Sequence, residues 1–244
     1  MNHYEKIASI KQFSDNVGTI YGTEDFSIYL YSLVKMKRPK NIVELGTGVG
    51  SVALWCGLAL EENGEGKIYT VDDGSDWSNL LPAASRFGDL YDSNYKNYIT
   101  KLVNHFELDG YIAPINEKIN IVDVDNIDIL FSDFAHSPFD VVKLLSYYLP
   151  KMSECSSIFI DSASTLYSSY CMLESVVESL NKGVIPRSLL EVCLDIDSLE
   201  SIVKSSTFRL EHIIENKNRD QNSTARIDIY PKDVFPYPRV NMRF

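Results

Sequence analysis

The chain has 244 residues, enough at roughly 150 residues per domain for one large domain or two small ones with a sizeable core. Its 34 acidic residues outnumber 23 basic ones, and the net charge of −11 argues against nucleic acid or an anionic membrane surface as a partner. With 45% hydrophobic and 23% charged residues and no run near ~18 apolar positions, wholesale disorder, coiled coil and a bilayer span are poor readings.

The first predicted helix starts at Thr23, a good N-cap, followed by Glu24 and Asp25 where the helix dipole favours acids. Phe26, Tyr29, Leu30 and Leu33 then recur at helical spacing, and Lys35 to Pro39 ends the helix. The short β-rich run Asn41 to Leu45 leads through a glycine loop into Ser51 to Trp55, the opening of a buried helix. Asn63 to Gly66 closes that helix and Lys67 to Asp72 supplies a second strand, which completes a βαβ unit. From Asp73 to Ser93 the chain turns to Gly, Ser, Asp, Asn and Pro, with Trp77, Arg86, Phe87 and Tyr91 among them, and reads as an irregular insertion or lid.

A helix over Tyr95 to Phe106, a strand near Tyr111 to Ile115 and a clear strand at Ile127 to Phe131 follow. Next come a helix (Phe139 to Leu149), a strand (Ser157 to Ile160) and two helices (Thr165 to Leu180, Leu189 to Val203). That alternation is the mark of an open, mostly parallel α/β sheet of the Rossmann-like, doubly wound kind. Phe208 to Ile214 and Thr224 to Tyr230, on either side of the polar run 215–223, are expected to pair antiparallel at the sheet edge. One domain is expected over residues 1–244, with 1–38 as an N-terminal helical cover and 73–93 as the insertion.

Cys56, Cys155, Cys171 and Cys193 form no CxxC pair and no zinc-finger spacing, so they are expected to be buried reduced thiols. The N-terminus lacks the basic-then-apolar order of a secretory signal, which makes the cytoplasm the expected compartment and the sequon at Asn222 a chance tripeptide.

Glu44-Leu45-Gly46-Thr47-Gly48-Val49-Gly50 lies between the first strand and its helix, where a tight turn lets a ligand approach backbone amides with no Cβ in the way. Asp72 ends the second strand 22 residues beyond the last glycine, the place where a carboxylate accepts hydrogen bonds from ribose hydroxyls. A dinucleotide fingerprint needs its third small residue at position 51, whereas these glycines fall at 46, 48 and 50 with Glu44 two residues ahead. An anion at 44 suits a cationic methionine moiety better than a pyrophosphate, and no Gly-Lys-Ser/Thr follows to make a P-loop.

At these residues the chain resembles the class I S-adenosylmethionine-dependent methyltransferases over about Thr23 to Tyr230. The resemblance implies a seven-stranded sheet and S-adenosyl-L-methionine as cofactor. By it, Glu44 sits near the methionine amino group, Gly46, Thr47, Gly48 and Gly50 line the cofactor, Asp72 holds the ribose, and Asp133 borders it. A homodimer is family habit.

Beyond the carboxyl ends of the strands, Asp133 follows the fourth strand, His136 stands three residues later, and Asp161 ends the fifth before Ser162. If those strands are neighbours, Asp133, His136 and Asp161 converge on one edge. Carboxylates gathered this way favour Mg²⁺, which lowers the pKa of a substrate hydroxyl, and an imidazole takes the proton near neutral pH. The arrangement resembles the metal-dependent O-methyltransferases, in particular the macrocin-type sugar enzymes and more distantly the catechol enzymes. That resemblance implies Asp133 and Asp161, with Ser162 at the third position, as metal ligands and His136 as general base; without a metal, the two aspartates orient the acceptor. Two departures stand out: Ser162, a poor ligand, occupies the place of a second acid, and Ala135 replaces an acid before the histidine.

Each of these residues also has a plainer role: Asp133 and Asp161 as caps of the following helices, and His136 as a packing or capping group. His3, His105 and His212 have no motif around them and read as structural or solvent-facing. The expected function is O-methylation of a small-molecule hydroxyl, with divalent-metal assistance where a metal binds. N-methylation without metal and a catalytically silent adenosine-binding protein are the alternatives.

Overall fold

The computed structural model describes residues 1–17, 24–119, 122–134, 136–214 and 223–234. The expected cap Thr23, the sequon at Asn222 and most of the polar run before Thr224 lie outside them. Seven strands form a mixed sheet in the order β3-β2-β1-β4-β5-β7-β6, the Rossmann-like arrangement expected from the alternating pattern. The chain forms two compact units, Met1–Asp123 with Ile129–Phe134, and Val124–Asp128 with Ala135–Phe244.

The first unit contains α1 (His3–Val17), α2 (Glu24–Lys37), β1 (Asn41–Leu45), α3 (Ser51–Asn63), β2 (Lys67–Val71), α4 (Trp77–Ala84), α5 (Tyr95–His105), β3 (Ile112–Ile115) and most of β4 (Ile127–Ser132). β1 pairs parallel with β2, opposing Leu45 to Val71, and with β4, opposing Leu45 to Ser132. This register sends the glycine loop, Asp72 and Asp133 out of the same carboxyl edge. α3 is buried on nearly every face, which its apolar run Val52 to Leu60 allows, and Gly64 ends it in the left-handed conformation.

The N-terminal cover over α3 includes α1, which the apolar spacing does not announce. Its buried positions are Lys6, Ile10, Phe13, Ser14 and Val17. Lys6 is held by Glu61 at 2.7 Å, and Ser14 accepts the indole N–H of Trp55 at 3.0 Å, so two polar residues occupy core-facing positions because α3 supplies partners.

The segment 73–93 is more ordered than its composition suggests. It folds into α4 and a 3₁₀ stretch over Ser85–Leu90. Trp77 stacks on Tyr98 at 4.4 Å, its indole N–H reaches the carbonyl of Asp92, and Phe87 packs on Phe13. Trp77 is therefore part of the core, and Tyr91 stays exposed.

The second unit contains α6 (Pro138–Tyr148), β5 (Met152–Asp161), α7 (Tyr167–Asn181), α8 (Arg187–Leu190), α9 (Ile196–Ser205), β6 (Ser206–Ile214) and β7 (Ser223–Pro231). The expected antiparallel edge pair is present: β7 opposes β5, with Ile160 facing Ala225, and opposes β6, with His212 facing the same Ala225. The single helix expected over 189–203 is two helices. Asp195 accepts the amide of Ser198 and restarts the chain as α9, a capping signal embedded in what periodicity reads as one amphipathic run. Of the cysteines expected to be buried, Cys56 is, whereas Cys155 and Cys171 are exposed and Cys193 is half-buried. Among the described residues no helix is long and apolar enough to cross a membrane.

Candidate functional site

Three positive φ angles, 94° at Gly46, 53° at Gly48 and 90° at Gly50, shape the loop between β1 and α3. At Gly46 the need for glycine is twofold, because a Cβ there would also stand 3.2 Å from the carbonyl oxygen of Asp133. The glycine amides are not left for a ligand, as the sequence suggested. Gly46 donates to the carbonyl of Val71 at 3.0 Å, Gly48 to Asp72 Oδ2 at 3.0 Å, and Gly50 to the carbonyl of Thr47 at 2.8 Å. An anion cradle needs such N–H groups free, so this loop is poorly suited to a pyrophosphate. A carboxylate and loop carbonyls suit a cation.

Asp72 accepts from Gly48 and, through Oδ1, from the amide of Gly74 at 2.8 Å. A carboxylate has about four acceptor positions, so Asp72 ties two loops together and retains acceptors for hydroxyl groups. It lines a cavity of about 530 Å³ together with Thr47, Thr70, Tyr95, Ile115 and Asn116. That size lies within the ~300–1,000 Å³ of small-molecule pockets. No local sequence pattern marks Tyr95 and Tyr98 as loop partners; their hydroxyls donate to the carbonyls of Gly48 at 3.1 Å and Val49 at 3.0 Å and brace the loop from α5.

Glu44 is only 1% exposed and takes the hydroxyl of Thr70, which in turn meets that of Thr47. Burial, with a smaller contribution from the Asp72 charge, pushes its carboxyl up to about 8 against the hydrogen bond from Thr70. The expected anion at position 44 is thus mostly a neutral acid near pH 7 in the ligand-free chain.

Asp133 directly follows β4, and its amide donates to the carbonyl of Leu45 at 2.9 Å. Neither strand-tip acid caps a helix: Ser137 caps α6, accepting from Asp140, and Leu166 stands at the N-cap of α7. In the second unit His136 Nδ1 lies 3.0 Å from the carbonyl oxygen of Asp161, and the backbone carbonyl of His136 accepts from Ser169 Oγ at 2.6 Å. A carbonyl only accepts, so the imidazole proton is assigned to Nδ1 and Nε2 keeps its lone pair.

Asp161 is 3% exposed, with Oδ2 taking the Ser162 hydroxyl at 2.6 Å and Oδ1 facing that of Thr224 at 3.5 Å. A buried carboxylate engaged by two hydroxyls, next to a serine turned toward it, does not present the outward-facing oxygens that Mg²⁺ takes. The expected ligand set of Asp133, Asp161 and Ser162 therefore does not fit a metal. Among the described residues no three His, Cys, Asp or Glu side chains group as a metal site.

A family model described as a methyltransferase domain matches residues 43–163. No curated protein matches the chain. Among solved structures it is similar to an O-methyltransferase from Bacillus cereus in complex with SAH, at 11% identity over 92% of this chain and 90% of that one, with a TM-score of 0.50. A methyltransferase from Geobacter sulfurreducens matches at 12% identity over 93% and 88%, with a TM-score of 0.50. A cofactor-bound protein from MTB matches at 10% identity over 92% and 89%, with a TM-score of 0.52. At these identities the likeness is one of fold.

Proposed function

We propose that the chain, whose residues 43–163 match a methyltransferase domain, is an S-adenosylmethionine-dependent methyltransferase that methylates a hydroxyl oxygen of a small molecule, with His136 as the base. The observation that carries the choice of oxygen is the Nδ1 contact of His136 with the Asp161 carbonyl, which reserves Nε2 for a proton. An amine acceptor, methylated as its free base, needs no such group. S-adenosylmethionine, when bound, supplies an electrophilic methyl carbon, so the remaining demands are alignment and removal of the acceptor's proton.

In this reading Gly46, Thr47, Gly48 and Gly50 shape the cofactor loop, Asp72 accepts from ribose hydroxyls, and Asp133 borders the loop beside Gly46. Glu44 faces the methionine end. A cation brought near it favours the carboxylate, so cofactor binding near pH 7 should release protons from a group that starts largely neutral. Calorimetric titration of S-adenosylhomocysteine in buffers of different ionisation enthalpy should give heats that differ by the release of up to about one proton. Heats independent of the buffer would remove Glu44 from that role.

Asp72→Ala leaves the amides of Gly48 and Gly74 without their acceptor and the sugar without its own. S-adenosylhomocysteine should bind about 1–3 kcal/mol more weakly, read by the same titration. The occupied oxygens of Asp161 give no support to a metal-assisted step, and none is part of the proposal. That same feature favours N-methylation as the second reading. We place the protein in the cytoplasm, on its unpaired cysteines, and take a homodimer as its assembly.

The test of the function is transfer of a labelled methyl group from S-adenosylmethionine to panels of small hydroxylated and aminated molecules. Product from a hydroxyl supports the proposal, and product from amines alone overturns it. S-adenosylhomocysteine binding without turnover on either panel would mark a silent adenosine-binding protein.

A further inference from the structure

Outside the residues assigned above, a second constellation stands at the carboxyl end of β5. Ser164 follows Asp161 in the turn before α7, and its Oγ lies 2.6 Å from His212 Nδ1. The other ring nitrogen of His212, Nε2, lies 3.0 Å from Glu174 Oε1.

Each element contributes for a simple reason. Ile160 of β5 and His212 of β6 both sit opposite Ala225 of β7, so His212 is level with the end of β5, two strands away. Tyr170 and Glu174, four residues apart on α7, share one helical face. The Tyr170 ring stacks on the imidazole at 4.2 Å with an interplanar angle of 29°, and Glu174 takes its outer nitrogen. Stacking and two hydrogen bonds fix the ring. The His212 side chain is 17% exposed and Ser164 is half-buried, so neither group is sealed in the core.

In the neutral imidazole, a proton on Nε2 directed at the Glu174 carboxylate leaves the lone pair of Nδ1 for the Ser164 O–H. A hydroxyl, a base within hydrogen-bond reach and an acid that orients the base are the parts of an activated nucleophile, recognised by geometry and roles. We propose that Ser164, with His212 as base and Glu174 as its orienting acid, is a second reactive centre that accepts acyl groups from small activated carboxylic esters.

The step balances. Ser164 Oγ bonds to the carbonyl carbon while its proton passes to His212 Nδ1, and Glu174 stabilises the imidazolium. The C–O bond to the leaving alcohol breaks, and that alcohol departs with the proton from His212. Water then adds to the acyl-serine by the same route and releases the carboxylic acid and free Ser164.

The test uses the full chain, a fluorophosphonate probe and p-nitrophenyl acetate. Intact mass should show one probe adduct, peptide mapping should place it on Ser164, and Ser164→Ala should abolish both labelling and ester hydrolysis above background. His212→Gln should slow labelling about 100-fold, the low end of what a positioned base supplies, with circular dichroism like that of the unaltered protein. Glu174→Gln, at a half-exposed surface position, should slow it by a smaller factor. No adduct, an adduct elsewhere, or a folded His212→Gln protein labelled at the original rate would overturn the proposal. If His212→Gln does not fold, an unchanged labelling rate in Glu174→Gln overturns it instead. Because no step uses S-adenosylmethionine, these outcomes are independent of the methyl-transfer reading.

Discussion

Replacing His136 with alanine is expected to lower methyl transfer about 10²–10⁴-fold, the range a positioned general base supplies, while the affinity for S-adenosylhomocysteine stays unchanged. The first half follows from the ring's hydrogen bonding. The Asp161 carbonyl holds the proton on Nδ1 and fixes the ring's rotation, so the basic nitrogen is Nε2 in a single tautomer. The second half follows from placement: the loop, Asp72 and the cavity they line belong to the first compact unit, and His136 belongs to the second. Steady-state kinetics on the acceptor from the methyl-transfer panel separate the two. The variant should lose kcat. A His136→Ala protein that keeps its turnover would leave His136 as a group that merely pins the turn between β4 and α6.

The elements legible in the sequence are those whose apolar periodicity agrees with burial. β1, β2 and the opening of α3 could be read because Asn41 to Leu45, Lys67 to Val71 and Val52 to Leu60 meet partners of their own kind. α1 could not, because Lys6 is buried through its contact with Glu61 and Ser14 through contacts with Trp55 and Ser51, and periodicity has no term for a polar residue whose burial rests on its partners. The glycine loop was legible as a turn. The hydrogen bonds of Gly46 and Gly48 were not, since they depend on Val71 and Asp72 arriving from the next strand. Asp161 shows the same limit: a strand-tip carboxylate reads as a metal ligand until the hydroxyls of Ser162 and of Thr224, opposite it on β7, are seen to take its oxygens. His212 carries no local motif because Ser164 and Glu174, 48 and 38 residues away, reach it only through the sheet and α7.

Glu44→Gln is expected to remove a large pH dependence of stability. The carboxyl is held near 8 in the fold, and the ordinary value of 4.5 serves for the unfolded chain. Between those two values the folded protein binds a proton that the unfolded chain has released, so stability is full below about pH 4.5 and declines as pH rises toward 8. The slope approaches about 1.4 kcal/mol per pH unit in the middle of that window. Glutamine has no proton to lose there, and its carbonyl oxygen can still accept from Thr70. Urea unfolding at pH 5, 6.5 and 8 should therefore show the original protein weakening by several kcal/mol more than the variant across the series, an order-of-magnitude figure from the same linkage. Saturating S-adenosylhomocysteine should reduce the difference, because a cation facing Glu44 supplies the counter-charge that burial denies it. Parallel stability profiles for the two ligand-free proteins would mean that the carboxyl is already ionised in the fold, and the proton release assigned to cofactor binding would fall with it.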